Sequence, residues 1–181
     1  MHTNIVFLRG INVGGQKKIR MAELRSSLSN AGFHSAQTYI QSGNLIVQSK
    51  ASKNKVSAKI HQVILNSFGF DVPVLTLELS TLQNILKENP YPATTEDNKG
   101  IYFVLLYERP DSALREALQS EVFPNEEFTI TPTCIYLNCH EGYGRAKCNN
   151  NFFERRLKIQ ATARNWKTMK RMEEMAAEIT D

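Results

Sequence analysis

The first 77 residues alternate between short apolar runs and segments with the spacing of an amphipathic helix. The run NIVFLRG has the length of a buried strand. MAELRSSLSNAG, which follows a glycine-rich loop, has its apolar residues at helical intervals and ends at Gly32. SAQTYIQSGNLIVQS contains two β-rich runs separated by Ser42 and Gly43. This separation predicts two strands joined by a two-residue hairpin turn.

The alternation continues up to residue 77. KNKVSAKIHQVILNSFGF has one apolar helical face, and DVPVLTL predicts a short strand in which Pro73 indicates the edge of a sheet. The predicted order is therefore βαββαβ, the order of a ferredoxin-like fold.

A second cycle follows a connecting segment. LSTLQNILKENP predicts a helix and YPATTEDNKG a loop. IYFVLLY then predicts a strand, PDSALREALQS a helix and EEFTITPTCIYLNC a pair of strands. We assign one or two helices to the residues from Asn151 to Ile179.

The chain therefore predicts an α+β protein with two tandem ferredoxin-like (βαββαβ) subdomains. Each is an antiparallel sheet with helices packed on one face. We place the first subdomain at residues 1–77 and the connecting helix and loop at 78–99. The second subdomain, with the C-terminal helices, occupies residues 100–181.

Charge is segregated along the chain, whose formal net charge is +4. Residues 1–77 carry nine basic and two acidic side chains, residues 78–141 four and eleven, and residues 142–181 nine and five. Basic ends around an acidic middle fit an anionic ligand or a nucleic acid bound at the ends. They fit equally well two halves of opposite charge that pack against each other.

The composition is that of a globular protein. The N-terminus lacks a basic segment followed by an apolar run and a cleavage site, and nowhere do about eighteen apolar residues follow one another. We therefore expect a cytoplasmic protein with no membrane partner. Three cysteines argue against a disulfide framework, and the apolar stretch around Cys134 and Cys139 predicts that both are buried.

The glycine-rich segment FLRGINVGGQKKIRM raises the question of phosphate binding. A Walker loop needs Lys directly after its second glycine, but Gln16 follows Gly15, and the glycine spacing of a dinucleotide fold is also absent. What remains is a turn in which Gly14 and Gly15 can expose N–H donors beside Arg9 and Lys17. The alternative is a flexible turn with solvated lysines.

An RNA-recognition domain shares the βαββαβ order but stacks bases on aromatic residues of its third strand. The corresponding segment here, SGNLIVQS, contains no aromatic ring. Reading a base sequence through the sheet is therefore not expected, whereas electrostatic contact with a nucleic-acid backbone remains compatible with the chain.

The segment ATARNWKTMKRM is the second concentrated group of candidate residues. We interpret it as the start of a helix with Thr162 as its N-cap, so that Arg164 and Asn165 lie in the first turn. A cation there requires an anionic partner, which is either a ligand or a carboxylate of the protein itself. Trp166 is interpreted as a core anchor. A further loop, EGYGRAKCNNN, again places cations after glycines and leads to a helix that Asn151 would cap.

Catalytic and metal-binding patterns are sparse. The four histidines are scattered, and neither a nucleophile elbow nor a paired-cysteine zinc spacing occurs. Cys139, His140 and Cys148 are only weak candidates for metal ligands. We therefore expect no metal and no cofactor, and we assign no catalytic residue.

Three of these segments, FLRGINVGG, YIQSGN and TARNWKT, together with a Met-x-x-Leu helix at Met21 to Leu24, resemble the bacterial domain-of-unknown-function family 1697. The resemblance extends over nearly the whole chain. It implies a ferredoxin-like α+β fold, duplicated in agreement with the pattern above, and no known activity.

Our leading hypothesis is that the glycine loop, the SGN turn and the TARNW segment converge on an anionic ligand, either a nucleotide or a nucleic-acid backbone. The candidate ligand-binding residues are Arg9, Asn12, Gly14, Gly15, Lys17, Ser42, Asn44, Arg164 and Asn165. Two alternatives remain open: an enzyme of unknown reaction at the same place, and a purely structural role in which the motifs brace the two halves. The oligomeric state is not predicted.

Overall fold

The computed structural model describes residues 1–91 and 98–180. Most of the loop predicted at 91–100 therefore lies outside the described residues. The chain divides into two compact units. The first contains Met1–Asn84 together with the described residues from Arg171 onward, and the second is Ile85–Lys170. The boundary between the units falls inside the helix that we predicted within the connecting segment 78–99. The end of the C-terminal helix belongs to the first unit.

Six elements follow one another in the first unit. They are β1 (His2–Leu8), α1 (Met21–Asn30), β2 (Gln37–Tyr39), β3 (Asn44–Ser49), α2 (Lys53–Phe68) and β4 (Val74–Glu78). The strands form an antiparallel sheet in the order β2-β3-β1-β4. This is the ferredoxin-like arrangement, and β4, the strand after Pro73, is an edge strand, as predicted.

The core of this unit lies on one face of the sheet. Val6 and Leu8 of β1 share that face with Leu45 and Val47 of β3, because alternate residues of a strand point in the same direction. Both helices place their apolar residues against these strands; those buried are Leu24, Leu28, Val56, Ile60 and Ile64. Each such buried aliphatic side chain stabilises the fold by about 1.5–3 kcal/mol.

The hairpin between β2 and β3 differs from the prediction. Tyr39 pairs directly with Asn44, so the loop contains four residues, 40–43, and not two. Two of them, Ile40 and Gly43, have positive φ angles. The predicted two-residue turn was wrong because the β-rich character of Ile40 and Gln41 concealed where the strand ends.

The second unit repeats the plan. After α3 (Leu79–Lys87), which begins in the first unit, come β5 (Ile101–Leu106), α4 (Ser112–Gln119), β6 (Glu126–Ile130), β7 (Cys134–Cys139), α5 (Asn150–Leu157) and β8 (Ala161–Asn165). Its sheet has the order β6-β7-β5-β8 and is also antiparallel. The last helix, α6, is Trp166–Thr180. The predicted fold class, α+β with two similar halves, is confirmed.

Residues 162–165 of the TARNW segment lie in a strand and α6 begins only at Trp166, which corrects the interpretation of Thr162 as the start of a helix. Thr162 pairs with Leu105 and Arg164 with Phe103, so the segment forms an edge strand, β8, along β5. Thr162 is therefore not an N-cap. Instead, Asn165 Oδ1 accepts a hydrogen bond of 2.9 Å from the N–H of Thr168 at the start of α6. Pairing with a neighbouring strand, which a local pattern does not contain, decides this conformation.

Helix α5 begins at a different asparagine from the one predicted. Asn149 is its N-cap, because its Oδ1 accepts a hydrogen bond of 3.0 Å from the N–H of Phe152. Asn151 lies inside the helix. Three adjacent asparagines offer equivalent caps, so only the backbone conformation distinguishes them.

Candidate functional site

The glycine-rich loop between β1 and α1 is held by hydrogen bonds of its own backbone. The N–H of Asn12 donates to the Lys17 carbonyl at 3.2 Å, and the N–H of Gln16 donates to the Val13 carbonyl at 3.0 Å. Positive φ angles occur at Gly10, Asn12, Gly14, Gly15 and Lys17. Such a density of left-handed residues explains the glycines, which adopt this conformation at little steric cost.

Asn12 fixes this loop and joins it to the next one. Its Oδ1 accepts a hydrogen bond of 2.8 Å from the N–H of Ile19, and its Nδ2 donates to the Ile19 carbonyl at 2.9 Å. The same Nδ2 donates to the carbonyl of Gln41 at 2.8 Å. Both amide hydrogens are therefore used within the protein. Residues 9–20 and 40–43 together are called the two-loop surface below.

The Gly14-Gly15 turn is the exposed tip of this surface. A Cβ at either glycine would meet no atom within 4 Å, so the turn projects into open space. Within the described residues, no acceptor pairs with either N–H group. Val13, just before the turn, is 64% exposed. The turn thus presents backbone donors, as an anion-binding loop requires.

Four cations accompany the turn, but they are not equivalent. Lys17 Nζ donates to the Asp71 carbonyl, which ties the loop to the segment before β4. Arg20 lies 3.5 Å from the Glu23 carboxylate. Arg9 is half-buried, and its N–H donates to the Pro73 carbonyl at 3.1 Å. Lys18 is exposed and makes no ion pair within the described part of the chain.

The SGN turn is held from inside. Asn44 is fully buried, and its Nδ2 donates to the Tyr39 carbonyl at 3.0 Å and to Ser42 Oγ at 2.9 Å. Leu8 donates its N–H to the Gly43 carbonyl at 2.8 Å. The amide hydrogens of Asn44 therefore stabilise the turn, as those of Asn12 stabilise the glycine loop.

One residue of the two-loop surface was not among the sequence candidates. Ile40 is 51% exposed and has a φ of +47°. A left-handed conformation is costly for a β-branched residue and is retained only where the surroundings impose it. No sequence signal identifies it, because isoleucine beside a tyrosine strand is typical of a continuing strand.

The remaining candidates, Arg164 and Asn165, belong to β8 in the second unit. Arg164 is 7% exposed, and its Nη1 donates to Thr162 Oγ1 and to the Ala163 carbonyl, each at 2.8 Å. Burial lowers the pKa of its guanidinium to about 10, although Tyr107 and Tyr143 act in the opposite direction. The predicted convergence of Arg164 and Asn165 with the glycine loop and the SGN turn stays a prediction.

The described residues offer little support for metal or thiol chemistry. Among residues 1–91 and 98–180, no three His, Cys, Asp or Glu side chains are placed to hold a metal ion. The three cysteines are free and buried, and burial raises the pKa of each thiol, to about 12 for Cys139. They are therefore poor nucleophiles.

Across the same residues, no helix combines the length and the apolar character needed to span a membrane.

Comparison with known protein families identifies the family to which the chain belongs. The sequence model of a family described as proteins of unknown function, DUF1697, matches residues 1–136. The chain belongs to this family. The matched residues include the glycine loop and the SGN turn, whereas the TARNW segment lies beyond them. No curated protein matches the chain.

One solved structure supports the fold of this DUF1697 protein. It is that of a conserved bacterial protein from Streptococcus pneumoniae, with 23% sequence identity and a TM-score of 0.70. The similarity covers 97% of this chain and 98% of the other. At 23% identity, this similarity establishes the fold alone.

Proposed function

We propose that the protein binds the phosphate backbone of a nucleic acid through the two-loop surface of its first unit. The observation that carries this proposal is the Gly14-Gly15 turn, which has open space beside both Cα atoms and whose N–H groups have no acceptor among the described residues. Backbone N–H groups in a turn are suited to phosphate oxygens.

Hydrogen bonds within the protein hold the loop in one conformation. Asn12 makes three hydrogen bonds of 2.8–2.9 Å, and Lys17 attaches the loop to Asp71. A surface held in its binding conformation avoids the entropic cost of ordering on association. For Asn12 and Asn44, these contacts support the structural alternative: the two side chains shape the surface and do not contact the ligand.

The excess of basic side chains in residues 1–77 supports an extended, multiply charged anionic partner. Residues 1–77 carry nine basic and two acidic side chains, and the two carboxylates, Glu23 and Asp71, lie against Arg20 and His61. Lys18 adds an exposed cation beside the turn, and Arg9 and Lys17 add positive potential. A polyanion gains more from such a field than a single small anion does.

A nucleic-acid backbone is favoured over base recognition. The exposed large apolar residues within the described part of the chain are Met1, Val13, Ile40, Leu65 and Val122. None is aromatic, and base recognition in single strands relies on aromatic stacking. Val13 and Ile40 provide aliphatic contact with sugars on the same surface. The proposed binding is therefore independent of base sequence.

The test measures binding of a fluorescently labelled oligonucleotide by anisotropy between 50 and 200 mM salt, where phosphate contacts weaken steeply. Lys18→Gln should lower the affinity and reduce the slope of log K against log salt by about 0.7–0.9, the contribution of one phosphate contact. Lys87→Gln removes an exposed lysine of α3 outside the two-loop surface and serves as the matched control.

Equal losses for Lys18→Gln and Lys87→Gln would show a diffuse attraction and contradict the assignment of the surface. An affinity that does not depend on salt, or no binding at 50 mM salt, would overturn the proposal.

A further inference from the structure

A second basic feature of the first unit lies away from the two-loop surface. A pocket of about 190 Å³ opens where β3 ends and α2 begins. Phe33, Ala51 and Val56 supply apolar surface in it, and the polar surroundings include Lys50, Lys55 and Lys59. The two-loop surface meets β3 at Asn44, whereas the pocket is lined by Gln48 and Ser49 at the other end of the strand. From Asn44 to Gln48 the strand rises by about 13 Å.

The three lysines lack opposing charge. Lys55 and Lys59 are four residues apart on α2, so they lie on the same helical face and repel each other. No carboxylate lines the pocket, and none of the three lysines makes an ion pair within residues 1–91 and 98–180. Lys59 Nζ lies 5.2 Å from the centre of the Phe33 ring, which orients that ammonium group over the apolar part of the pocket.

Two neutral groups add hydrogen-bond donors. Ser49 Oγ accepts a hydrogen bond of 3.0 Å from the N–H of Ala51, which leaves its own hydrogen to donate. Gln48 Oε1 accepts from Ser35 Oγ at 3.3 Å, so the NH₂ group of Gln48 remains available. Cations and neutral donors thus surround a space that contains no acidic group.

We propose that this pocket binds the phosphate group of a small phosphorylated molecule. A lysine ammonium is a compact charge with three rotatable donors, which suits a tetrahedral oxyanion. The pocket has no arginine, whose planar fork would match a carboxylate. A bound dianion also removes the repulsion between Lys55 and Lys59.

The size of the pocket limits the ligand. Its volume of about 190 Å³ is below the roughly 300–1,000 Å³ typical of sites for drug-sized ligands. A phosphate with a short organic group fits within it, whereas a complete nucleotide would extend out of the pocket into solvent. Phe33 and Val56 line the pocket but are almost fully buried, so only a small apolar area faces the organic group.

The test is a ¹⁵N–¹H NMR titration of the full chain with inorganic phosphate and with glycerol phosphate. We expect saturable shifts of the Gly32, Phe33, Ser49 and Ala51 amide signals. Glycerol and acetate, at matched ionic strength, should cause none. Equal shifts with acetate, or no saturable shift with either phosphate probe, would overturn the proposal.

The double variant K55Q/K59Q should weaken phosphate binding about tenfold or more, because it removes two charged hydrogen-bond donors from the pocket. K53Q is the matched control, since it removes an exposed lysine from the same helix outside the pocket. A loss of similar size in K53Q would overturn the proposal. Lys18→Gln should leave the phosphate-induced shifts of the Gly32, Phe33, Ser49 and Ala51 amides unchanged, so this outcome is read separately from the oligonucleotide experiment.

Discussion

At the scale of single residues, similar backbone angles at two glycines conceal different constraints. Gly10 and Gly43 have φ angles of +71° and +81°. A Cβ at Gly10 would meet nothing within 4 Å, whereas one at Gly43 would lie 2.7 Å from Leu8 Cβ and 2.9 Å from Ile11 Cδ1. Gly10 is thus constrained by conformation alone, and Gly43 by conformation and packing.

This contrast predicts two different stabilities. Gly10→Ala should lower the free energy of unfolding by about 1–2 kcal/mol, the cost of a left-handed alanine. Gly43→Ala should cost about 1–3 kcal/mol more, because the added methyl group overpacks the core beside Leu8. Urea denaturation of both variants measures the difference. Equal losses would mean that the strand end moves freely to accept the methyl group.

At the scale of elements, a buried carboxylate attaches β6 to the segment before α5. Glu126 Oε1 accepts from the N–H of Lys147 at 2.8 Å, and Oε2 accepts from the N–H of Cys148 at 2.6 Å. Burial acts to raise the pKa of this carboxyl. Hydrogen bonds from the Cys148 thiol and from both N–H groups outweigh it and hold the pKa below its ordinary value of 4.5.

A lowered folded-state pKa means that ionised Glu126 stabilises the fold above pH 4.5 and that this contribution is lost as the pH falls below that value. Glu126→Gln should therefore be about 1–3 kcal/mol less stable than the natural protein at neutral pH, since one N–H loses its acceptor. The difference should shrink under acidic conditions. Urea denaturation across the acidic range measures it.

Glu127→Gln is the control for this prediction, because Glu127 is exposed on the same strand and lies 3.7 Å from His140. Its stability should change little. A difference between Glu126→Gln and the natural protein that stays constant through the acidic range would contradict the role given to ionised Glu126.

The elements were predicted with unequal success, for local reasons. Strands with continuous apolar runs, such as β1 and β5, and helices with a full apolar stripe, such as α2, were located correctly, since their burial is visible in the residue pattern. The strand β8 was not. Its residues ATARN lack an apolar run, and their extended conformation comes from pairing with β5.

At the scale of the whole molecule, the same topology occurs twice. In each unit the two strands in the middle of the sheet, β3 and β1 or β7 and β5, have hydrogen-bonded neighbours on both sides, while β2 and β6 lie at edges. An amide hydrogen exchanges slowly where local opening of the structure costs much free energy. Both units should therefore show the same order of exchange rates among their strands.

Hydrogen exchange measured by NMR should therefore give the slowest amides in β1, β3, β5 and β7 and faster exchange in β2 and β6. Protection in β2 equal to that in β3 would show that the sheet order does not govern local stability. The repeated pattern serves as its own control, since each unit provides an independent comparison.

The residue pattern was sufficient for the fold class, the order of elements in the first unit, the first four elements of the repeat in the second unit and the position of the glycine loop, because each depends on local periodicity or on glycine chemistry. The candidate residues were only partly interpretable in this way. Asn12 and Asn44 use their amide hydrogens within the protein. The sequence does not show this, because acceptors such as the Gln41 carbonyl, 29 residues from Asn12, belong to other segments.

Long-range pairing decided the rest. The conformation of TARNW, the four-residue loop with a left-handed Ile40, and the gathering of Lys50, Lys55 and Lys59 around Phe33 follow from contacts between segments distant in sequence. Neighbouring residues carry the information for helices and turns because those hydrogen bonds are local. A sheet edge or a pocket exists only once separate strands and helices have packed.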